Sequence, residues 1–218
     1  MGYNVAIDGP AGAGKSTIAK LVAKEKGFIY VDTGAMYRGL AIHFLDKGIE
    51  AGEVDKIIEA CKDANVTIKY EDGVQQVYLN DVNITARLRD EAVGNMASKS
   101  SAIPEVRAKL LELQRGLARE QDVIMDGRDI GTCVLPDADV KVYLTASVET
   151  RAKRRFDELT EKGVACDLDE IARDIAERDH RDMTRETAPL KQAEDAVLVD
   201  SSYMNIDEVV AAIAALCK

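Results

Sequence analysis

The chain has 218 residues, 46% hydrophobic and 31% charged, enough for one domain, with or without a subdomain, around a sizeable core. Its 29 basic and 39 acidic residues leave a formal charge of −10, which repels nucleic-acid backbones and anionic membranes, so polymer and membrane partners are not expected. No apolar run reaches the roughly 18 residues that cross a bilayer, and no basic, then apolar, leader precedes the first strand-like run. Cys61, Cys133, Cys166 and Cys217 are scattered, without a C-x-x-C pair or a nearby His, which predicts a reduced, cytoplasmic protein lacking structural zinc.

Strand-like and helical patterns alternate along the chain. Residues 4–8 read as a strand and 15–26 as a helix, followed by a strand at 28–31 and a helix at 35–47. The alternation then breaks. Residues 66–70, the turn Glu71-Asp72-Gly73, and residues 74–79 and 82–84 read as an antiparallel meander, with a polar helical stretch over 88–101. Beyond it come a helix at 104–120 opened by Pro104, strands at 122–126 and 140–144, helices at 147–162 and 167–185, a strand at 196–200 and a helix at 207–217. Several strands are continuously apolar, as in a parallel sheet covered on both faces. The prediction is an α/β fold: a doubly wound five-stranded parallel sheet with helices on both faces, plus a small antiparallel β/helix insert. The chain is read as one domain, with core segments 1–59, 104–147 and 190–218 and an insert over about 60–103.

The strongest motif is Gly9-Pro10-Ala11-Gly12-Ala13-Gly14-Lys15-Ser16-Thr17, which fits G-x-x-x-x-G-K-[ST] between a strand and a helix. Its glycines let successive backbone N–H groups turn toward phosphate oxygens, Lys15 adds a mobile cation, and the Ser16 hydroxyl suits a phosphate-bound Mg²⁺. No Asn-Lys-x-Asp guanine reader follows a later strand, and the chain is short for a motor or transport ATPase. A small-molecule kinase remains, and its acceptor site should show as arginines at strand and loop ends in this acidic chain. Such arginines cluster in four places: Asp32 to Arg38, Ala102 to Arg107, Asp126 to Asp129 and Glu177 to Arg185. Any one of them could be a solvated surface ion pair; four together point to anion binding.

The motifs Asp8-Gly-Pro-Ala-Gly-Ala-Gly-Lys-Ser16, Asp32-Thr-Gly-Ala-Met-Tyr-Arg38, Asp126-Gly-Arg-Asp-Ile-Gly-Thr132 and Arg178-Asp-His-Arg-Asp-Met-Thr-Arg185 resemble the bacterial cytidylate kinases, of the nucleoside monophosphate kinase group. The likeness runs in order over essentially the whole chain, insert included. It implies transfer of the γ-phosphoryl of ATP to CMP or dCMP with Mg²⁺, at a site assembled as follows. Gly9 to Thr17 would hold the ATP phosphates, with Ser16 on the metal. Thr33, Arg38 and Arg128 would bind the CMP phosphate; many relatives carry Ser where Thr33 stands, which keeps the hydroxyl. Ser98, Arg107 and Asp129 would surround the cytosine, Arg178 and Asp182 would meet the ribose, and Arg185 would reach toward the phosphates. Residues 148–189 resemble the helical lid of the group, with Arg151, Arg154 and Arg155 facing the donor. Lys15, Arg128, Arg155 and Arg185 are the groups this places at the transferred phosphoryl.

The residue types suit that chemistry on their own terms. A nucleoside monophosphate is already largely dianionic at neutral pH, so it attacks without a general base, and the protein has only to position and neutralise charge. Planar arginines can grip two phosphate oxygens at once. His43 and His180 are read as structural or solvated, and Met36 and Tyr37 as packing residues. The run Glu149 to Arg155 could equally be an exposed helix face, and Asp126 could orient water on Mg²⁺ or simply end its strand. A kinase for UMP, shikimate or gluconate, or a nucleotide-binding module without turnover, stays open beside the main reading. A monomer is expected, since no apolar seam stands out.

Overall fold

Continuous β-branched runs build the central sheet. In a computed structural model, which describes residues 2–218, strands β1 (Asn4–Asp8), β2 (Ile29–Asp32), β6 (Val123–Gly127), β7 (Val140–Thr145) and β8 (Val197–Asp200) pair in the order β2-β6-β1-β7-β8, all parallel, with helices on both sides. In register, Val5 of β1 faces Val140 of β7, and Val142 faces Val197 of β8. Crossovers are made by α1 (Lys15–Lys26), α5 (Pro104–Glu120), the hairpin of α6 (Val148–Glu161) and α7 (Leu168–Thr184), and smaller elements; α8 (Ile206–Ala214) closes the chain. Among the described residues no helix is long and apolar enough to cross a membrane.

The chain divides into two compact units. One comprises Tyr3–Phe28 with Ile124–Lys218; the other comprises Gly2 with Ile29–Val123. In the first unit, Val5, Ala6 and Ile7 of β1 are completely buried, as are Ile124 and Met125 of β6 and Leu144 of β7. Burial of apolar surface at roughly 25 cal/mol per Å² is what holds these strands beneath α1 and α8, which pack together. In the second unit, α2 (Thr33–Asp46) contributes Met36, Leu40, Ile42 and Phe44 to a core shared with Ile57, Val77 and Leu110.

The insert forms in that second unit as an antiparallel sheet of β3 (Val66–Glu71), β4 (Val74–Leu79) and β5 (Val82–Asn83). Asp72 and Gly73 have φ of 50° and 76°, and Asn80 and Asp81 have 47° and 66°. Positive φ at both central residues is the geometry whose twist matches paired strands. The polar helical stretch expected over 88–101 is α4 (Glu91–Ser100), preceded by a short 3₁₀ turn at Thr85–Arg87.

Two elements differ from expectation. Helix α3 (Val54–Lys62), which buries Ile57, Ala60 and Cys61, stands between Gly52 and the insert where the sequence reading expects no element. Helix α2 begins at Thr33 rather than 35, because the Asp32 carboxylate accepts the Ala35 N–H at 2.9 Å and caps the helix through Thr33-Gly34.

Candidate active site

The phosphate cradle occupies the turn from β1 into α1, within the first unit. Gly9 has a φ of 150°, and a Cβ there would lie 1.9 Å from the Leu144 carbonyl oxygen, so this position excludes any side chain. Gly14 caps α1 in a left-handed conformation with no side-chain cap, which leaves the first N–H groups of the helix for an anion. Lys15 is buried and donates from Nζ to the Gly9 and Pro10 carbonyls, both at 2.7 Å. Burial and the Arg128 charge push its pKa well below the ordinary lysine value, while Asp126 and Asp8 pull it back up. Phosphate oxygens would exchange for those carbonyls and restore the compensation that a buried ammonium needs.

Oxygen donors sit beside the lysine. Ser16 Oγ donates to Asp126 Oδ2 at 3.0 Å, and Asp126 is buried at the end of β6. Among the described residues no group of three or more His, Cys, Asp or Glu could hold a metal ion. A hydroxyl next to one carboxylate nevertheless fits Mg²⁺, which keeps waters and phosphate oxygens for most of its octahedron.

The loop after β6 carries Arg128 and Asp129 and runs into a π turn at Ile130–Val134, where both Cys133 and Val134 donate N–H groups to the Asp129 carbonyl, at 2.8 and 3.2 Å. Such turns often mark functional sites. Arg128 Nε donates to Asp182 Oδ2 at 2.9 Å, and Asp182 is buried on α7. Arg185 lies 3.8 Å from Asp129 Oδ1, and its Nε and a terminal nitrogen donate to Ala188 O at 2.9 and 2.6 Å. Asp129 therefore meets Arg185 within its own unit. Arg178 sits part-buried on α7, one turn before Asp182.

The three arginines of α6 do not share one surroundings. Arg151 is buried, donating to Ala146 O at 2.8 Å and to Ala11 O of the cradle at 2.9 Å, and pairing with Asp179 of α7 at 2.6 Å. Arg154 reaches the Ser201 carbonyl at 2.7 Å and its hydroxyl at 3.3 Å. Arg155 pairs with Glu158 at 2.8 Å on the exposed face of α6. Arg151 is thus the one of the three bonded to the cradle, and the bond goes to its backbone.

The second unit holds the other candidates. Thr33 is buried in the first turn of α2, and the Arg38 guanidinium lies against Gly34, 3.2 Å from where a Cβ would stand. Arg107 donates to the Ser101 carbonyl at 3.2 Å, and its guanidinium carbon sits 5.6 Å from the Tyr37 ring centroid. The Ser98 hydroxyl is buried without a hydrogen-bond partner, while its carbonyl accepts from Ser101 Oγ at 2.9 Å. An unsatisfied buried hydroxyl costs free energy until a ligand pairs with it, and here it lies in the same turn-and-helix segment as Arg107.

His43 is buried, with Nε2 3.1 Å from the Ala60 carbonyl, and serves packing; His180 is exposed. Sequence reasoning missed Asp8, Asp179 and Ser101. Asp8 left a signal, an acid closing an apolar strand directly before the cradle; Asp179 was hidden inside an arginine motif, and Ser101 meets Arg107 through its carbonyl, which any residue type would supply.

A parallel α/β sheet whose first strand opens into this phosphate cradle defines a P-loop protein. The family model for cytidylate kinase matches residues 5–218. The cytidylate kinase of Caldicellulosiruptor saccharolyticus is 52% identical over 206 residues, covering 94% of this chain and 91% of that one. That of Lactobacillus gasseri is 48% identical over 214 residues, covering 98% and 93%. The chain belongs to the cytidylate kinase family. In fold alone it also resembles an uncharacterized protein from Eubacterium ventriosum, at a TM-score of 0.53 and 13% identity, over 97% of this chain and 95% of that one.

Proposed function

We propose that this chain transfers the γ-phosphoryl group of ATP to CMP or dCMP, giving ADP and CDP or dCDP, with the residues above in definite roles. The observation that carries the reading is the cradle of Gly9 to Thr17, with Lys15 and the Ser16–Asp126 pair beside it, in a member of the cytidylate kinase family. Gly9 to Thr17 bind the ATP phosphates. Lys15, now folded onto two carbonyls, turns to the oxygens between donor and transferred group.

Thr33, Arg38 and Arg128 hold the CMP phosphate, and Ser98, Arg107 and Asp129 read the base; the open hydroxyl of Ser98 supports this. Arg178 and Asp182 meet the ribose. A CMP phosphate oxygen forms the new bond to the γ-phosphorus as the bond to the bridging oxygen breaks, and ADP leaves with that oxygen and its electron pair. No base is required, so Arg128, Arg185 and Arg155 act by offsetting charge on the transferred group. Arg154 lies on the donor side, and Arg151 serves the donor through the Ala11 backbone. Mg²⁺, held through Ser16 with Asp126 behind it, would supply charge neutralisation between the phosphates.

On this reading 148–189 is a lid and about 60–103 an acceptor-side insert of one kinase domain. The chain works as a cytoplasmic monomer on small nucleotides, in keeping with its charge of −10. An ADP-release assay over CMP, dCMP, UMP, AMP and shikimate tests the proposal. Turnover fastest with CMP or dCMP is expected; turnover fastest with another acceptor, or with none, overturns it.

A further inference from the structure

We propose that Asp8 is a positioning residue for the acceptor: its carboxylate fastens the loop bearing Arg128 and Asp129 to the strand end from which the phosphate cradle springs. The inference rests on the roles proposed above for those two residues and adds the group that holds them.

Asp8 is the last residue of β1, and only 5% of its surface is exposed. Its two oxygens accept the backbone N–H groups of Ile130 at 2.8 Å and Gly131 at 2.7 Å, one to each oxygen. Those N–H groups open the π turn directly after Asp129, so the carboxylate fixes the turn that aims the preceding two side chains. Residue 131 must approach closely to do this. A Cβ there would lie 3.2 Å from Lys141 Cδ and 3.4 Å from Asp8 Oδ2, and glycine leaves that space clear.

The arrangement is costly at neutral pH. Burial raises the Asp8 carboxyl from 3.8 to about 6 and Asp129 adds to the rise, against the two N–H groups and Lys15, which lower it. An asparagine of the same shape would avoid a buried charge, but its amide could accept only one of the two N–H groups and would turn a donor toward the other. What the carboxylate alone supplies is a two-point acceptor, which fixes orientation as well as distance.

The test compares Asp8→Asn, Asp8→Ala, Arg128→Ala and Asp129→Asn. Steady-state kinetics give KM for CMP, and fluorescence titration with a labelled ATP analogue gives donor affinity. Asp8→Asn should raise the KM for CMP about tenfold while donor affinity changes less than threefold, and Asp8→Ala should exceed it. A role confined to general stability would move both constants together or neither. If the Asp8 variants do not fold, Gly131→Ala probes the same contact from the loop side and should raise the KM for CMP about threefold with donor affinity intact. An unselective effect, or none, overturns the proposal. Should Arg128→Ala and Asp129→Asn raise the KM for CMP while Asp8→Asn does not, this proposal alone fails; should none of the three do so, the acceptor-site reading fails with it.

Discussion

Removing the Asp179 carboxylate should destabilise the protein by about 3 kcal/mol, far more than a surface ion pair would. Arg151 and Asp179 side chains are 4% and 10% exposed and 2.6 Å apart, so Asp179→Ala leaves a guanidinium charge buried without its counter-charge. Breaking such a pair typically costs about 3–5 kcal/mol. The lower end applies here for two reasons. Arg151 keeps its N–H bonds to Ala146 O and Ala11 O, and Asp179 Oδ1, which is buried without a hydrogen-bond partner, takes its own desolvation cost away with it. At roughly 2–4 °C per kcal/mol for a chain of this size, the midpoint should fall by about 6–12 °C in calorimetry. A buried pair is poorly screened, so the loss should persist in 1 M salt, where the Debye length is only about 3 Å. A double-mutant cycle with Arg151→Met should return a coupling of at least about 2 kcal/mol. Coupling under about 0.5 kcal/mol, or a loss that vanishes in high salt, would refute the reasoning.

Lys15→Met should lower kcat by about 10²–10³-fold with CMP affinity changed less than about threefold, since the ammonium serves the donor phosphates; near-normal kcat measured in the ADP-release assay counts against the cradle. Asp8 gives a pH prediction with a definite sign. Its folded-state pKa, about 6, lies above the ordinary 3.8, so its contribution to stability is complete below pH 3.8 and is lost as pH rises through 6. The charged neighbours that bear on it are Asp129, which pushes the pKa the same way, and Lys15, which opposes it, with Lys141 lying across Gly131. Between pH 3.5 and 7, urea unfolding should therefore show Asp8→Asn gaining on the native chain by up to about 3 kcal/mol; a difference flat in pH would rule the shift out. Finally, hydrogen exchange over 148–189 should slow when ATP analogue and CMP are both bound, as a lid that excludes water requires, and equal protection with and without them would argue against a lid.

Much of the fold could be read from the chain because continuously apolar runs such as Val5-Ala6-Ile7 and Val123-Ile124-Met125, rich in β-branched residues, have few alternatives to a buried parallel strand. Helix α3 escaped although Val54, Ile57, Ile58 and Cys61 stand at helical spacing, because nine residues make too short a run for periodicity alone to separate a helix from an irregular connection, and the start of α2 shifted because a single Asp32 side chain decided it. The site was legible as residue types and opaque as surroundings. The run from Glu149 to Arg155 offers three arginines of equal promise, yet one is buried beneath the cradle, one is bonded to Ser201 and one faces solvent. Sequence spacing puts Arg151 and Arg155 on the same helix stripe; which of them meets a carboxylate from α7 depends on how the hairpin packs, a tertiary fact.

A carbonyl oxygen occupies the space where any side chain at residue 9 would begin, and this makes the root of the cradle a fitted joint between neighbouring strands. The backbone path at residue 9 is therefore settled when the sheet forms, before a nucleotide arrives. Ligand binding has little disorder to remove there, so less of the contact energy is offset by ordering. Discrimination among triphosphate donors should then arise from whatever surrounds base and sugar, because a socket that holds only phosphates treats all their tails alike. Evolution of a new donor preference would leave residues 9–16 unchanged and act on the arms around them.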